Sequence, residues 1–436
     1  MRYLEREVPA AADPLATMML LIRRAGYASY VVYEQEGCWS YAGGSVLRIG
    51  GGQGGIMWAG ATDGPLDLAQ AGRILAGSGV EDWRAYGWTT FEAGMTTPGT
   101  GAQLCLTIPQ SEVRIADGLA HLRAMDLTTL DWLAQLVGAV PPVAADDRRS
   151  PVAVDLDDGS AGYRDLVQRA IACVDTTELR KVIVSRRLEV AGEIDIADSY
   201  ERGRRATSPA RSFLFDLGGM RAAGFGPEAI VRIDRREISA HLLAGTSPVG
   251  NWGDATSNAK APLPEGPKEV YEHSITVADA MSAFSTLCLP GTAVIRRFMD
   301  VVERGSVRHL ASTLAGELAA PMDQWSALQA LLPGAVVTGV PKQAAIAAIR
   351  ALEGRDRGLY GGAVITCDSR GGMDAALALR MVVQDSTATW LQVGAGITAA
   401  SQPAREHAET CDKLLSIAAF LMPARGGQPQ LSREVA

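Results

Sequence analysis

Apolar residues recur every three to four positions in five long stretches of the chain. This spacing places them on one face of an α-helix and predicts an amphipathic helix in each stretch. The predicted helices cover residues 117–136, 163–173, 270–287, 342–352 and 404–421.

Shorter apolar runs lie between these helices and predict β-strands, because they are rich in β-branched residues and only four to ten positions long. The predicted strands cover residues 28–33, 46–49, 181–190, 212–217, 229–233, 238–243, 306–314, 361–367, 375–383 and 389–397. Many strands with long helices interspersed among them indicate an α+β fold. A regularly alternating, doubly wound order does not fit this pattern.

Residues 138–151, with the sequence GAVPPVAADDRRSP, are rich in proline, alanine and charge, which is typical of a linker. They separate a first half, residues 1–137, from a second part, residues 152–425, that carries all of the candidate chemistry. We expect residues 426–436 to form a flexible tail.

Charge and composition exclude several classes of function. The 436 residues carry a formal net charge of −8, which argues against a nucleic-acid binder because such proteins usually present a basic face. The six cysteines lie at least 44 positions apart, and no two histidines have HxxxH or HExxH spacing, so zinc-type motifs are absent. We find no signal-like N-terminal segment and no apolar run near the roughly 20 residues of a membrane span, so we expect a cytoplasmic protein.

Two pairs of glutamates are the strongest candidates for chemistry. Glu269 and Glu272 lie three positions apart in one predicted helix, and Glu406 and Glu409 do so in another, so each pair shares a helix face. Either pair could be a solvated surface feature. If all four converged, their mutual repulsion would require a cation, and hard carboxylate oxygens are the ligands that Mg²⁺ prefers.

Single residues at strand ends and turns are weaker candidates. Lys181 begins an apolar strand, where it could be a solvated end residue or a buried base. Glu228 follows a Gly-Pro turn, where partial burial would suit a general acid. Glycines at 245, 394 and 396 could let backbone N–H groups approach an anion, and Arg380 and Lys413 could pair with carboxylates.

In their order along the chain, these segments resemble the chorismate-utilising enzymes, which comprise the anthranilate, aminodeoxychorismate, isochorismate and salicylate synthases. The resemblance covers residues 160–420 and implies a large single α+β domain with antiparallel sheets flanked by helices. Residues 1–137 would form the variable first half of the same domain. The matching segments are KVIVSRRLEV, SFLFDLGGMRAAGFGPEAIV, LLAGT, PKEVYEHSITV, VVERGSVRHLAST, TGVPK, RGLYGGAVITC, DAALALR, VGAGI and EHAETCDKL.

The resemblance implies roles for three residues in catalysis. Lys181 would be the base that activates water for attack at C2 of the ring, Glu228 would be the acid that protonates the departing C4 hydroxyl, and His309 would lie beside the ring. Members that use water carry lysine at the position of Lys181, and aminodeoxychorismate synthases carry a lysine where this chain has Ala244. Both positions favour a water-derived product.

The resemblance also implies a binding site for the metal and for the substrate chorismate. Glu272 and Glu409 would bind Mg²⁺ directly, with Glu269 and Glu406 acting through water. The enolpyruvyl carboxylate would be held by Tyr360, Arg380, Gly394, Ala395, Gly396 and Lys413, with Gly245 and Thr246 near the base of the site.

Among these enzymes the chain is most similar to the mycobactin-type salicylate synthases, which form isochorismate and then expel pyruvate. This similarity implies a monomer without a glutamine amidotransferase subunit, serving siderophore biosynthesis. A monofunctional isochorismate synthase, an anthranilate-type synthase and a non-catalytic binding protein are the alternatives. The chain departs from the mycobactin-type pattern at Val336, where a threonine is expected, and at His241-Leu242, before the LAGT segment.

Overall fold

A computed structural model describes residues 1–51, 67–95, 103–139, 149–226, 228–248, 267–304 and 307–425. The predicted tail and most of the predicted linker lie outside these residues. The helices are α1 (Pro14–Arg24), α2 (Leu68–Ala76), α3 (Leu127–Gly138), α4 (Ser160–Thr176), α5 (Ile196–Ala206), α6 (Pro267–Leu287), α7 (Gln324–Leu331), α8 (Lys342–Glu353) and α9 (Pro403–Ala418).

Most of the strands belong to two large sheets. The strands of the first half are β1 (Leu4–Pro9), β2 (Tyr30–Gln35), β3 (Cys38–Gly43), β4 (Leu47–Gly51), β5 (Arg84–Thr89), β6 (Leu104–Ile108), β7 (Ser111–Ala116) and β8 (Leu119–Ala124). Those that follow are β9 (Lys181–Glu189), β10 (Ile194–Asp195), β11 (Arg211–Leu217), β12 (Met220–Gly224), β13 (Ala229–Asp234), β14 (Glu237–Pro248), β15 (Val294–Arg304), β16 (Val307–Glu317), β17 (Gly339–Val340), β18 (Ala363–Asp368), β19 (Met373–Leu377), β20 (Met381–Gln384), β21 (Thr389–Ile397) and β22 (Met422–Pro423).

One sheet has the strand order β1-β8-β7-β3-β2-β11-β12-β20-β21-β9-β17, and the other has the order β15-β16-β14-β13-β19-β18-β5-β6-β4. Both sheets are antiparallel, and both combine strands from the first 137 residues with strands from the second part. Helix α6 packs against β14, and α9 packs against β21 and α4. The predicted α+β class with antiparallel sheets and flanking helices is confirmed.

The helix predicted for residues 117–136 is wrong in its first half. Residues 119–124 form the strand β8, paired with β1 and β7, and only α3 is helical. Ala120, Leu122 and Ala124 are fully buried, so this stretch has the two-residue period of a strand. The leucines at 119 and 122 gave the appearance of helical spacing because they lie three positions apart.

The single strand predicted for residues 375–383 is two strands in different sheets. Strand β19 pairs within the nine-stranded sheet and β20 within the eleven-stranded one, so the chain passes from one sheet to the other between them. Arg380 lies at this crossover with a φ of +48°, a left-handed conformation that is uncommon for residues other than glycine.

A buried ion pair joins the two sheets. The guanidinium of Arg211, on β11, donates to both carboxylate oxygens of Asp374, on β19, at 2.8 and 2.7 Å. The hydroxyl of Tyr33, on β2, donates to the same carboxylate. Because breaking a buried pair leaves an uncompensated charge, this cluster constrains how the sheets face each other. None of the described helices is both long and apolar enough to cross a membrane.

Candidate active site

A cavity of about 970 Å³, including its open mouth, is lined by residues from both sheets. Strands β9 and β21 form one wall, β14 and the residues around Glu228 form the other, and α6 and α9 complete it. Twelve of the fifteen residues that the sequence predicts for the site line this cavity. They are Lys181, Glu228, Gly245, Glu269, Glu272, His309, Tyr360, Arg380, Gly394, Gly396, Glu409 and Lys413.

The other three predicted residues are placed differently. Ala395 lies between two cavity-lining glycines on β21, and because side chains alternate along a strand, it packs into the hydrophobic core. Glu406 is fully buried on α9, one turn before Glu409, and is not among the lining residues. Thr246 pairs with His309 across β14 and β16, but its side chain is outside the described residues.

Lys181 lines the cavity and is buried, with 1% of its side chain exposed. Its ammonium nitrogen lies 2.8 Å from Glu272 Oε1 and donates to Thr276 Oγ1 at 3.2 Å. The Thr276 hydroxyl in turn donates to the carbonyl of Glu272 at 2.7 Å. Thr276, which the sequence analysis missed, therefore ties the lysine to the helix that carries Glu272.

Glu228 also lines the cavity, lies immediately before β13, and is 5% exposed. Burial raises the pKa of its carboxyl to about 8, although Arg380, a backbone hydrogen bond from Leu243, Lys181 and Lys413 all oppose this rise. Its Oε2 has no hydrogen-bond partner among the described residues. The group is therefore mostly protonated at neutral pH, as a general acid requires.

Arg380 and His309 form a contact on the same side of the cavity. The Arg380 guanidinium donates to His309 Nε2 at 2.8 Å, which leaves the imidazole hydrogen on Nδ1. His309 is only 4% exposed, so its ring orientation is determined by the surrounding structure. The left-handed backbone of Arg380 directs this cation into the cavity between the sheets.

A second cation lies beside β21. Lys413, on α9, donates to the carbonyl of Gly394 at 3.0 Å and pairs with Glu409, one turn earlier, at 2.7 Å. Burial alone would lower the pKa of Lys413, but the Glu409 carboxylate outweighs it and raises the pKa above its ordinary value. Arg380 and Lys413 give the cavity two cations that suit an anionic ligand.

Glycines on β21 make room for these groups. A Cβ at Gly396 would lie 2.5 Å from Glu272 Oε1 and 3.0 Å from Lys181 Cε. A Cβ at Gly394 would lie 2.7 Å from the Tyr360 hydroxyl. Only glycine at these positions lets the carboxylate and the phenol approach the strand.

Three of the carboxylates that line the cavity lie on two helices. Glu272 pairs with Lys181, Glu409 with Lys413, and Glu269 with the exposed Arg405 at 2.7 Å. Within the described ranges these carboxylates do not bring three oxygens within 4.8 Å of one another. This donor set fits Mg²⁺, which commonly takes one or two protein carboxylates and completes its shell with water and ligand oxygens.

A histidine that the sequence analysis did not single out positions α6. His273 is fully buried and its Nδ1 donates to the carbonyl of Ala244 at 3.1 Å, while Nε2 accepts from Ser312 Oγ at 2.6 Å. These bonds hold α6 against β14 and β16, and so place Glu269 and Glu272 at the cavity. In the sequence, the only indication of this role was that His273 lies on the apolar face of a predicted helix.

The two departures noted in the sequence lie in different places. Val336 lines the cavity together with Ala244. His241 does not line it; it faces a smaller adjoining cavity, which Glu228 and Val336 also line.

Comparisons with known proteins identify the family of the chain. A family model described as chorismate binding enzyme matches residues 59–419. The chain is 34% identical over 432 residues to a salicylate synthase of Mycolicibacterium paratuberculosis, covering 94% of each chain. It is 29% identical over 287 residues to a 2-amino-4-deoxychorismate synthase of Streptomyces globisporus, covering 66% of this chain and 58% of the relative.

Two solved structures share the fold. The menaquinone-specific isochorismate synthase of Escherichia coli superposes with a TM-score of 0.74 at 20% identity, covering 96% of this chain and 94% of the other. Anthranilate synthase component I of Streptococcus pneumoniae superposes with a TM-score of 0.72 at 21% identity, covering 89% and 92%. At this level of identity the likeness concerns the fold alone.

Proposed function

The chain belongs to the family of chorismate-binding enzymes, and we propose that it converts chorismate to isochorismate and then to salicylate and pyruvate. The observation that carries the proposal is the placement of Lys181 and the protonated Glu228 in one cavity. The choice of salicylate as product is supported by the similarity to a salicylate synthase over nearly the whole of both chains.

In the first step, the Lys181 ammonium gives up a proton to solvent, and the neutral amine then accepts a proton from a water molecule as the water oxygen attacks C2 of the ring. Glu228 donates its proton to the C4 hydroxyl, which leaves as water while the ring double bonds shift. One water is added and one is lost, so isochorismate is an isomer of chorismate. This step needs a protonated acid and a base at the same ring, which Glu228 and Lys181 would supply.

Cations of the cavity would hold the dianionic substrate. Arg380 and Lys413, with the backbone of Gly394 and Gly396 and the hydroxyl of Tyr360, would bind the enolpyruvyl carboxylate. Glu272 and Glu409 would hold Mg²⁺ directly, with Glu269 and Glu406 acting through water, and the positive charge supplied there would suit the ring carboxylate. His309 would pack beside the ring and be oriented by its bond to Arg380.

In the second step, the hydrogen at C2 of isochorismate moves to the methylene carbon of the enolpyruvyl group, and the C3–O bond breaks. The ring becomes aromatic and pyruvate leaves. Because this transfer is intramolecular, the protein would contribute mainly by holding the reactive conformer. Val336, Leu379 and Met381 give the cavity apolar surface against which that conformer can pack.

Product analysis tests the proposal. Purified protein is incubated with chorismate at near-neutral pH, with and without Mg²⁺, and the products are separated by chromatography. Salicylate and pyruvate in equal amounts, formed only with the metal, are expected. Isochorismate alone would contradict the second step and support a monofunctional isochorismate synthase, and an amino product formed with ammonia would contradict the first.

Ala244 and Lys181 favour water over ammonia, so no glutamine amidotransferase subunit is required. We propose a cytoplasmic monomer whose salicylate serves siderophore biosynthesis.

A further inference from the structure

Three side chains with metal-ligating atoms meet on a part of the surface away from the active-site cavity. Asp157, His407 and Cys411 each offer one such atom, and the three atoms lie within 4.8 Å of one another. Within the described ranges this is the only group of three or more histidine, cysteine or acidic side chains with that property. None of the three lines the cavity.

The local structure brings them together without strain. His407 and Cys411 lie one turn apart on α9 and therefore share a face of the helix. Asp157 lies in the loop just before α4, which packs against α9. Glu409 and Lys413 lie on a different face of α9, so the helix serves the cavity and this cluster independently.

The separations are close to those of a tetrahedral zinc site. Cys411 Sγ lies 3.7 Å from His407 Nε2, and the same nitrogen lies 3.9 Å from Asp157 Oδ1. Bonds of about 2.3 Å to sulfur and about 2.0–2.2 Å to nitrogen and oxygen at tetrahedral angles place neighbouring ligand atoms about 3.3–3.6 Å apart. Because Cys411 Sγ also lies 4.0 Å from His407 Nδ1, the sulfur and the imidazole ring must shift relative to each other to complete the geometry.

Two of the three ligands are already held in position. The His407 side chain is 6% exposed, and its ring lies against that of Tyr163, with centroids 6.3 Å apart. The Arg186 guanidinium donates to Cys411 Sγ at 3.2 Å and to the Leu156 carbonyl at 2.8 Å. Asp157 is the mobile ligand, because its side chain is 81% exposed and can move to a metal at little cost.

Charge and ligand type select the ion. A thiolate and a carboxylate carry two negative charges, which balance a divalent cation. Burial raises the pKa of the Cys411 thiol, and the charge and hydrogen bond of Arg186 only partly oppose this rise, so the metal itself must displace the proton. Thiolate and imidazole are ligands for zinc-like metals, whereas Mg²⁺ prefers oxygen alone. The cluster is therefore chemically distinct from the carboxylate site in the cavity.

We propose that Asp157, His407 and Cys411 form a binding site for Zn²⁺ or a similar divalent transition metal. The Cys411 thiol, which lies 3.5 Å from the Leu156 carbonyl, loses its proton to solvent when the metal–sulfur bond forms. The exposed side of Asp157 leaves the fourth position to water. The bound ion ties α9 to the loop before α4, and this site does not depend on the proposed reaction.

Cobalt provides the test, because Co²⁺ replaces Zn²⁺ and gives a thiolate-to-metal absorption band only when a cysteine is a ligand. Full-length protein in buffer containing Mg²⁺ is titrated with Co²⁺, and a band that saturates at one ion per chain is expected. Cys411→Ser should abolish the band. Cys38→Ser, at an exposed cysteine elsewhere, should leave it unchanged.

Asp157→Asn is the second variant, since an exposed side chain can be replaced without harming the fold. Competition with a chromogenic chelator should show Zn²⁺ binding at least about tenfold weaker in this variant, since even outer-shell partners of metal ligands contribute about 10–100-fold. Absence of the cobalt band in the unmodified protein, its persistence in Cys411→Ser, or unchanged zinc affinity in Asp157→Asn would each overturn the proposal.

Discussion

The ammonium nitrogen of Lys181 lies 2.8 Å from Glu272 Oε1, so the proposed base and a proposed metal ligand form one ion pair. The two residues come from different elements, β9 and α6, and Thr276 bonds to both. Glu409 and Lys413 repeat the arrangement at 2.7 Å on α9. Each glutamate proposed to bind Mg²⁺ directly thus contacts a cation that would act on the substrate. Because the residues of a pair are in contact, the effect of each single substitution should be compared with that of the double variant.

We expect Lys181→Gln to lower kcat for isochorismate formation by at least about 100-fold, because positioned acid–base groups contribute about 10²–10⁴-fold. Chorismate binding, measured by calorimetry, should remain detectable since Arg380 and Lys413 are intact. Glu272→Gln and the double variant serve as controls for the broken ion pair. Turnover in Lys181→Gln equal to that of the unmodified enzyme would show that another group is the base.

Glu228→Gln should lower kcat by about 10²–10⁴-fold, since an amide cannot donate the proton that the carboxylic acid supplies. In the unmodified enzyme, the pKa of about 8 means that the acid form prevails at neutral pH and is lost as pH rises. We therefore expect kcat/KM to fall as pH increases through about 8.

Glu92→Gln is a matched control for this pH dependence. Glu92 is another buried glutamate, and burial raises its pKa to about 7, but it does not line the cavity. Its substitution should leave the alkaline fall of kcat/KM in place. Two outcomes would contradict the role of Glu228. One is loss of the alkaline fall of kcat/KM in Glu92→Gln, and the other is an unchanged alkaline fall in the residual activity of Glu228→Gln.

Glu409→Gln should raise the Mg²⁺ concentration for half-maximal activity by at least about tenfold, because the substitution removes one charged ligand oxygen. A titration of activity against Mg²⁺ measures this change. Glu189→Gln is the control, as Glu189 is exposed on β9 and outside the cavity. Coincident titration curves for Glu409→Gln and the unmodified enzyme would remove Glu409 from the ligand set.

Gly396→Ala should reduce kcat by about 100-fold, the order expected when reacting groups are displaced by about 1 Å. The added methyl group would lie 2.5 Å from Glu272 Oε1 and would push the carboxylate away from Lys181. Gly162→Ala, in α4, is the matched control, since a Cβ there meets no atom within 4 Å. It should keep full activity and increase the free energy of unfolding by up to about 1 kcal/mol.

Several parts of the site could be predicted from the chain itself. The two members of each glutamate pair share a helix face because three residues are nearly one helical turn. The helices that carry them, α6 and α9, lie close to the positions that the spacing of apolar residues predicted. The order of the motifs indicated the family. By contrast, the spacing of apolar residues wrongly predicted a helix for residues 119–124, because two leucines three positions apart are compatible with a helix. In the structure this segment is a strand, with Ala120, Leu122 and Ala124 buried on one face.

The amino-acid sequence by itself determined the local elements, the α+β class and the residues able to act as acid, base and ligand, because these follow from short-range periodicity and side-chain chemistry. Only the tertiary structure decided that Arg380 lies at a crossover between sheets, that Glu228 is desolvated beside three cations, and that Asp157 meets His407 and Cys411. These relationships join residues up to 254 positions apart. They depend on how sheets and helices pack, and local propensity carries no information about such contacts.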